Sequence, residues 1–326
     1  MQTRQLGKTD LHLSVIGFGA WALGGGDYEF GWGTQDDQES IRAIYGALDV
    51  GVNWIDTAPV YGLGRSEEVV GRAVQGIRGE VIIATKCSLV WDGDGKISNS
   101  LKGDSIVREA EESLRRLQTD YIDLYQIHWP SPEVDITEGW EALVELQESG
   151  KIRYPAVSNF NAEQLDQVSP IHSVASLQPP YSMFRRDVEA EILPYCRENS
   201  IGVVAYSPMQ NGLLTGKFSA ERAAELPEDD FRSRSPYFNS PQLEINLATV
   251  EKLQEIAQSA GHTTAQLALA WVLRRSEVTS AITGTRKPEQ IKETAAAADW
   301  TLDTETIETI TTLLDDRENR IANSSS

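Results

Sequence analysis

"GFGAWA", residues 17–22, is the stretch on which the fold turns. It follows an apolar run of strand length, Val15–Phe18, and has the G-x-G-x-x-A form of a dinucleotide fingerprint. That fingerprint works only where a helix begins inside it, because the helix N-terminus holds the pyrophosphate. Here the chain runs on as "LGGGDYEFGWG", residues 23–33, glycines and aromatics without a helical period. The motif therefore reads as the exit loop of a first strand, and an open nucleotide-binding sheet loses its main support.

Seven further apolar runs of strand length follow: Val52–Ile55, Val81–Ala84, Tyr121–Ile127, Ile152–Val157, Ala175–Leu177, Gly202–Ala205 and Thr279–Ile282. Helical patterns separate most of them: Asp37–Val50, Ser66–Val74, Asp104–Leu117 with Asp104 as its expected cap, Glu138–Ser149, Ala162–Val168 and Glu189–Glu198. Leu243–Gln258 and Thr264–Arg274 come in series, and Pro288–Ala296 and an acidic Asp303–Asp315 close the chain. Near-continuous apolar strands, each followed by a helix, indicate parallel strands buried on both faces. Eight units without a linker predict an α/β fold, a closed (β/α)8 TIM barrel in one domain spanning 1–326. A hairpin, "TRQLG" then "LHLSV", precedes the barrel, and extra helices follow the seventh strand and end the chain. Ser207 to about Gln242 reads as one long irregular piece at the face where barrels keep their sites.

The formal charge, 29 − 49 = −20, repels nucleic acid and anionic membranes and argues against both as partners. Two cysteines, Cys87 and Cys196, are too few for a disulfide scaffold and lack metal-ligand spacing, so a reducing cytoplasm and no metal are expected. No apolar run reaches membrane-span length. Arg4, Lys8 and the apolar Leu11–Leu23 resemble a signal peptide, but Asp10, His12, Gly17 and Gly19 spoil that segment.

Three strand ends carry ionisable groups. The second runs into Asp56, with Tyr61 in the loop beyond; the third, "EVIIATK", ends at Lys86; the fourth, "YIDLYQIHW", at His128. Parallel strands bring all of these to one rim. A buried lysine needs a partner, and Asp56 on the neighbouring strand provides one. A cationic lysine favours phenolate, so the Tyr61 pKa is expected to fall below its usual value near 10, making it a general acid. The chemistry suggested is carbonyl reduction, with the oxygen protonated as a hydride reaches the carbon. Taken singly, a packed tyrosine, a structural ion pair and a rim histidine explain these residues better than catalysis does, but four of them at successive strand ends are much harder to dismiss. Barrel aldolases and metal hydrolases also place such sets at strand ends. Lys86 has a carboxylate to keep it charged rather than nucleophilic, and His128 is the one histidine of four at an expected rim position.

"GVNWIDTAPVYG", "ATK", "DLYQIHWP", "GKIRYPAVSNF", "LQPPYSMFRR", "VVAYSPMQNGLLTGKF" and "GTRKPEQIKE", in this order, resemble the aldo-keto reductases over nearly the whole chain. The "YSP…GLLTGK" form is similar to the bacterial branch of inositol-cluster and general-stress reductases. The resemblance implies a barrel that binds NADP(H) without a Rossmann domain and reduces aldehydes or ketones reversibly. It implies a catalytic tetrad of Asp56, Tyr61, Lys86 and His128 with Tyr61 as proton donor. Ser158, Asn159 and Gln178 would hold the nicotinamide carboxamide, and Tyr206 would stack on the ring. Ala20 and Trp21, then Ser207, Pro208, Met209, Gly212, Leu213 and Lys217, would lie along the cofactor. The amides of Gly284, Thr285 and Arg286, with the Arg286 guanidinium, would receive a 2′-phosphate at a helix N-terminus, and Gln290 and Glu293 would touch the adenine.

Pro155-Ala156 departs from the family pattern and predicts a bulge in strand five, since proline cannot donate to the ladder. Thr283 and Thr294 replace a frequent proline and asparagine. Trp21, Trp91 and Trp129 are expected to line an apolar pocket for a small-molecule carbonyl, whereas Trp32 reads as packing and Cys87 as a packed thiol. The alternative, a non-catalytic cofactor-binding module of the same fold, sits poorly with an intact tetrad.

Overall fold

The computed structural model describes every residue except 27, 132–134, 228–229 and 325–326. Thr3–Gln5 (β1) pairs antiparallel with His12–Ser14 (β2). Then come Ile16–Gly19 (β3), Trp54–Asp56 (β4), Ile82–Cys87 (β5), a small hairpin of Leu89–Trp91 (β6) and Ile97–Asn99 (β7), and Ile122–Ile127 (β8). Ile152–Ser158 (β9), Ser176–Gln178 (β10), Gly202–Ala205 (β11) and Val278–Gly284 (β12) follow. Eight of these strands close as a parallel barrel in the order β3-β4-β5-β8-β9-β10-β11-β12, with β12 returning beside β3. The eight sequence runs are these eight strands.

Asp37–Asp49 (α1), Arg65–Ala73 (α2), Gly103–Leu117 (α3), Ile136–Glu148 (α4), Ala162–Val168 (α5) and Ile192–Asn199 (α6) occupy the crossovers. A short Ala220–Ala224 (α7), then Gln242–Ser259 (α8) and Thr264–Leu273 (α9), separate β11 from β12, and Pro288–Ala295 (α10) and Thr304–Ser324 (α11) follow it. Asp36 starts α1 by accepting from Glu39 N at 2.8 Å, and Asn161 and Thr263 open α5 and α9 with capping boxes. Asp104 is not the cap of α3. The first amide of that helix, Gly103 N, is satisfied at 2.9 Å by Glu138 of the neighbouring α4, a partner no local pattern reveals.

The N-terminal hairpin closes the bottom of the barrel. Leu6, Leu11 and Leu13 bury against Trp54, Ala84, Leu124, Ala156, Val204 and Ile282. This packing explains the glycines of "GFGAWA". A Cβ on Gly17 would lie 2.2 Å from the Trp54 ring, and one on Gly19 would lie 2.7 Å from Ile282. The motif is a packing solution.

The predicted bulge at Pro155 is absent, because β9 keeps one register along β8 from Ile122↔Ile152 to Ile127↔Val157. Pro155 O accepts from Ala175 N, so the missing N–H also faces the β10 side, below that strand's first residue, where no ladder donor is needed. The irregularity lies elsewhere, between Val203 and Val204 of β11. The described residues of 207–242 carry more helix than expected: turns of 3-10 helix at Gln210–Thr215, Phe231–Arg234 and Pro236–Phe238 accompany α7. The last helix extends past Asp315 to Ser324.

Candidate active site

The C-terminal ends of the barrel strands surround a cavity of about 730 Å³. Asp56 closes β4 and Lys86 lies near the end of β5, so the two side chains meet across neighbouring strands. Lys86 is fully buried; its ammonium donates to Asp56 Oδ2 at 2.7 Å, to Thr57 O at 2.8 Å and to Tyr61 Oη at 3.4 Å. The other Asp56 oxygen accepts from Gln178 Nε2 at 2.8 Å and Gln126 Nε2 at 3.4 Å. A buried ion pair is tolerable only when its remaining lone pairs are satisfied, and these glutamines satisfy them.

His128 follows β8 and stands edge-on to Tyr61, with ring centres 5.8 Å apart. Asn159, held at φ +62°, donates to His128 O at 3.0 Å and accepts from Tyr206 Oη at 3.0 Å. Ser158 Oγ donates to Gln178 O at 2.8 Å. The ends of β4, β5, β8, β9, β10 and β11 are thus tied into one polar rim.

The electrostatics correct one expectation. Tyr61 is not acidified; burial, then the Asp56 charge, hold its pKa well above 10. The lysine charge is absorbed by Asp56, and burial also pulls the Lys86 pKa down. His128 is held well below 6.5 by burial, then by Lys86, so its ring is neutral at pH 7. The rim therefore offers a phenol that keeps its proton and an imidazole that can donate an N–H without carrying charge.

Most of the expected residues converge. Trp21, Asp56, Tyr61, His128, Trp129, Ser158, Asn159 and Gln178 line one part of the cavity wall. Tyr206, Ser207, Pro208, Met209, Gly212, Lys217, Gly284, Thr285, Arg286, Gln290 and Glu293 line the rest. Four expected residues do not line it, and one of them, Lys86, is buried behind Asp56 and Tyr61, to which its ammonium donates. Trp91 lies over Arg116, 5.9 Å from the guanidinium carbon, because the exit loop folds into the β6–β7 hairpin, and Leu89 and Ile97 build the wall there instead. Ala20 is buried with its N–H on Asp56 O and its carbonyl on Ser66 Oγ, and Leu213 is buried in the core.

One amide of the expected cradle before α10, that of Arg286, is also taken. Arg286 N and Lys287 N donate to Gln290 Oε1 at 2.8 and 3.1 Å, which caps the helix from its third position. The Arg286 guanidinium is held by Gln35 Oε1 at 2.6 Å and by the carbonyls of Trp32 and Thr34, and among the described residues it has no carboxylate partner.

Trp32, read as packing, does pack edge-on against Trp21 and Phe231, but it also lines the cavity, and its Nε1 is buried without a partner among the described residues. Arg222 and Arg232 were missed. Both line the cavity, and Arg232 stacks over Trp32 at 4.8 Å. Their signal was a set of three arginines, Arg222, Arg232 and Arg234, in the long loop of a strongly acidic chain.

The comparisons with known proteins agree with this geometry. The model of the aldo/keto reductase family matches residues 15–315. The chain belongs to the aldo/keto reductase family. It is 41% identical over 318 residues to aldo-keto reductase YhdN of Bacillus subtilis, covering 97% of this chain and 94% of that one. It is 36% identical to an Escherichia coli protein named NADH-specific methylglyoxal reductase, covering 91% and 93%. The solved glycerol dehydrogenase AKR11B4 from Gluconobacter oxydans superposes with a TM-score of 0.89 at 38% identity, covering 97% and 96%. As a member of this family the chain is an oxidoreductase acting on carbonyl groups. Among the described residues no cluster of three or more His, Cys, Asp or Glu is arranged to hold a metal ion, and no helix is long and apolar enough to cross a membrane.

Proposed function

We propose that this aldo-keto reductase uses NADPH to reduce aldehydes and ketones to alcohols, with Tyr61 as the proton donor. The observation that carries the reading is the Tyr61–Lys86–Asp56 chain, 3.4 and 2.7 Å, at the wall of the large cavity.

The residues present fit a dinucleotide. Four cations, Lys217, Arg222, Arg232 and Arg286, line the cavity of a chain whose net charge is −20, which suits an anionic cofactor. The orphaned Trp32 Nε1 adds a donor waiting for an acceptor. Ser158, Asn159 and Gln178 would hold the carboxamide, and Tyr206 would lie along the nicotinamide. When bound, the cofactor supplies a hydride to the carbonyl carbon.

Tyr61, protonated because of its burial, passes its proton to the forming alkoxide, a far stronger base than phenolate. The Lys86 ammonium at 3.4 Å then stabilises the phenolate, and Asp56 keeps that ammonium in place. Neutral His128 orients the carbonyl through its N–H. Trp21, Leu89, Ile97 and Trp129 exclude water and favour an apolar carbonyl compound. The Arg286 guanidinium, which has no carboxylate partner among the described residues, supports NADPH over NADH, in contrast to the Escherichia coli relative named as NADH-specific.

The test is NADPH oxidation with an activated benzaldehyde. Tyr61→Phe is expected to lower kcat by roughly 10²–10⁴-fold, the range for a general acid, with NADPH affinity unchanged. Full turnover by that variant would overturn the assignment.

A further inference from the structure

A second, smaller pocket of about 100 Å³ adjoins the large cavity. Arg185, Gln210, Asn211 and Ser207 line it, and Trp21 and Tyr206 form a wall shared with the main cavity. That wall is close to the reacting groups: Trp21 stacks on Tyr61 at 6.1 Å, and Tyr206 reaches His128 O through Asn159.

The pocket is rich in donors and, among the described residues, has no carboxylate in its lining. The Gln210 amide oxygen accepts from Ser182 Oγ at 2.7 Å and the Asn211 amide oxygen from Ser207 Oγ at 3.0 Å, so each keeps an NH₂ group for a ligand. The Arg185 guanidinium stands apart from the cations of the main cavity. Lys217 is bound to Glu293, Arg232 to Asp230, Arg222 to Lys217 O, and Arg286 to backbone carbonyls and Gln35. Among the described residues, Arg185 has one ionic contact, 4.0 Å to Asp187, whose side chain is 89% exposed. Such a surface pair contributes little and leaves the guanidinium available.

The arrangement is held in place. Ser182 and Arg185 exchange backbone hydrogen bonds at 3.2 and 3.1 Å, and the same Ser182 orients Gln210. Ser207, Gln210 and Asn211 sit at φ +52°, +46° and +53°, a conformation that non-glycine residues keep only where their surroundings impose it, most often at functional sites.

We infer that this side pocket is a carboxylate subsite for the substrate, with Arg185 as the specificity-determining cation and Gln210 and Asn211 as supporting donors. The preferred substrates are aldehydes or ketones that also carry a carboxylate: the carbonyl meets Tyr61 and His128, the apolar body passes Trp21, and the carboxylate enters the pocket. This inference rests on the carbonyl-reductase reading. The remaining source of a matching anion is the cofactor's own phosphates, and the test separates the two.

Wild type and Arg185→Gln are compared on benzaldehyde and on 3- and 4-carboxybenzaldehyde, with NADPH affinity measured by fluorescence. Wild type is expected to favour at least one carboxylated aldehyde in kcat/KM by about tenfold or more, the worth of one charge-assisted hydrogen bond. Arg185→Gln is expected to lose that preference while its benzaldehyde rate and NADPH affinity stay within about twofold. Absence of the preference in wild type, or an equal loss on all three aldehydes, overturns the inference. A weakened NADPH affinity in Arg185→Gln also overturns it and assigns the pocket to cofactor phosphate. Failure of the activity reading looks different: wild type then reduces none of the aldehydes. Calorimetric binding of benzoate to the NADPH complex still decides the subsite in that case, because Arg185→Gln must weaken it; equal binding to both proteins overturns the inference.

Discussion

Glu109 on α3 is a buried carboxyl with neutral donors and, among the described residues, no ion-pair partner. It accepts from Ser88 N at 2.9 Å and Ser105 Oγ at 3.1 Å, and burial, the dominant influence, pushes its pKa up from 4.5 to about 7. A group that binds its proton more tightly in the folded chain stabilises the fold below its unfolded pKa and loses that contribution as pH rises through its folded one. Between those two values the native state loses about 3 kcal/mol from this group alone. Glu109→Gln keeps the acceptor for Ser88 and offers Ser105 a donor, but it does not titrate. The stability of the variant relative to wild type should therefore rise by about 2 kcal/mol between about pH 5.5 and about pH 8, a window that stays above the pI of 4.6. Urea unfolding of both proteins at the two pH values measures this difference. A gap independent of pH, or a variant less stable than wild type at the higher pH, would refute the reasoning.

Arg286→Ala should weaken NADPH by roughly tenfold or more and NADH far less, as read by fluorescence titration; equal losses would remove the 2′-phosphate role. Arg116→Met leaves the fully buried Glu67 without the guanidinium at 2.6 Å and should cost about 3–5 kcal/mol in urea unfolding. Phe231→Ala removes the ring that stacks on Trp21 at 5.2 Å and meets Trp32 edge-on at 5.2 Å, joining the β3 exit loop to the β11 loop. It should raise the NADPH dissociation rate in stopped-flow chase by roughly fivefold to tenfold, the worth of one aromatic contact, and an unchanged rate would show that the bridge does not hold the ligand.

Much of the site was legible because strand ends are local features. "NWID", "IIATK" and "YQIH" end parallel strands, and parallel strands end on one face, so Asp56, Lys86 and His128 had to meet once the barrel was recognised. The glycine motif could be rejected for a reason visible in the chain, the missing helix, although its purpose, room for Trp54 and Ile282, appears only in the packed interior. Trp91 was misplaced because a hairpin within an exit loop redirected it toward Arg116, a residue on another element. The Asp104 cap and the Arg286 amide failed for a similar reason: Glu138 and Gln290, side chains with no obvious capping pattern at the sequence level, satisfy the amides of Gly103 and Arg286.

By itself the sequence determined the eight strand-helix units, their parallel order, and which ionisable residues stand at the strand ends, because periodicity and chain direction are written locally. The tertiary structure decided the sense of each electrostatic effect. Burial and Asp56 raise the Tyr61 pKa that a neighbouring lysine was expected to lower, since desolvation depends on everything packed around a group and not on one charge beside it. It also brought Arg185, Gln210 and Asn211 together from two loops into one donor pocket beside Tyr206. That juxtaposition depends on how β10 and β11 lie side by side in the closed barrel, which no stretch of either loop contains.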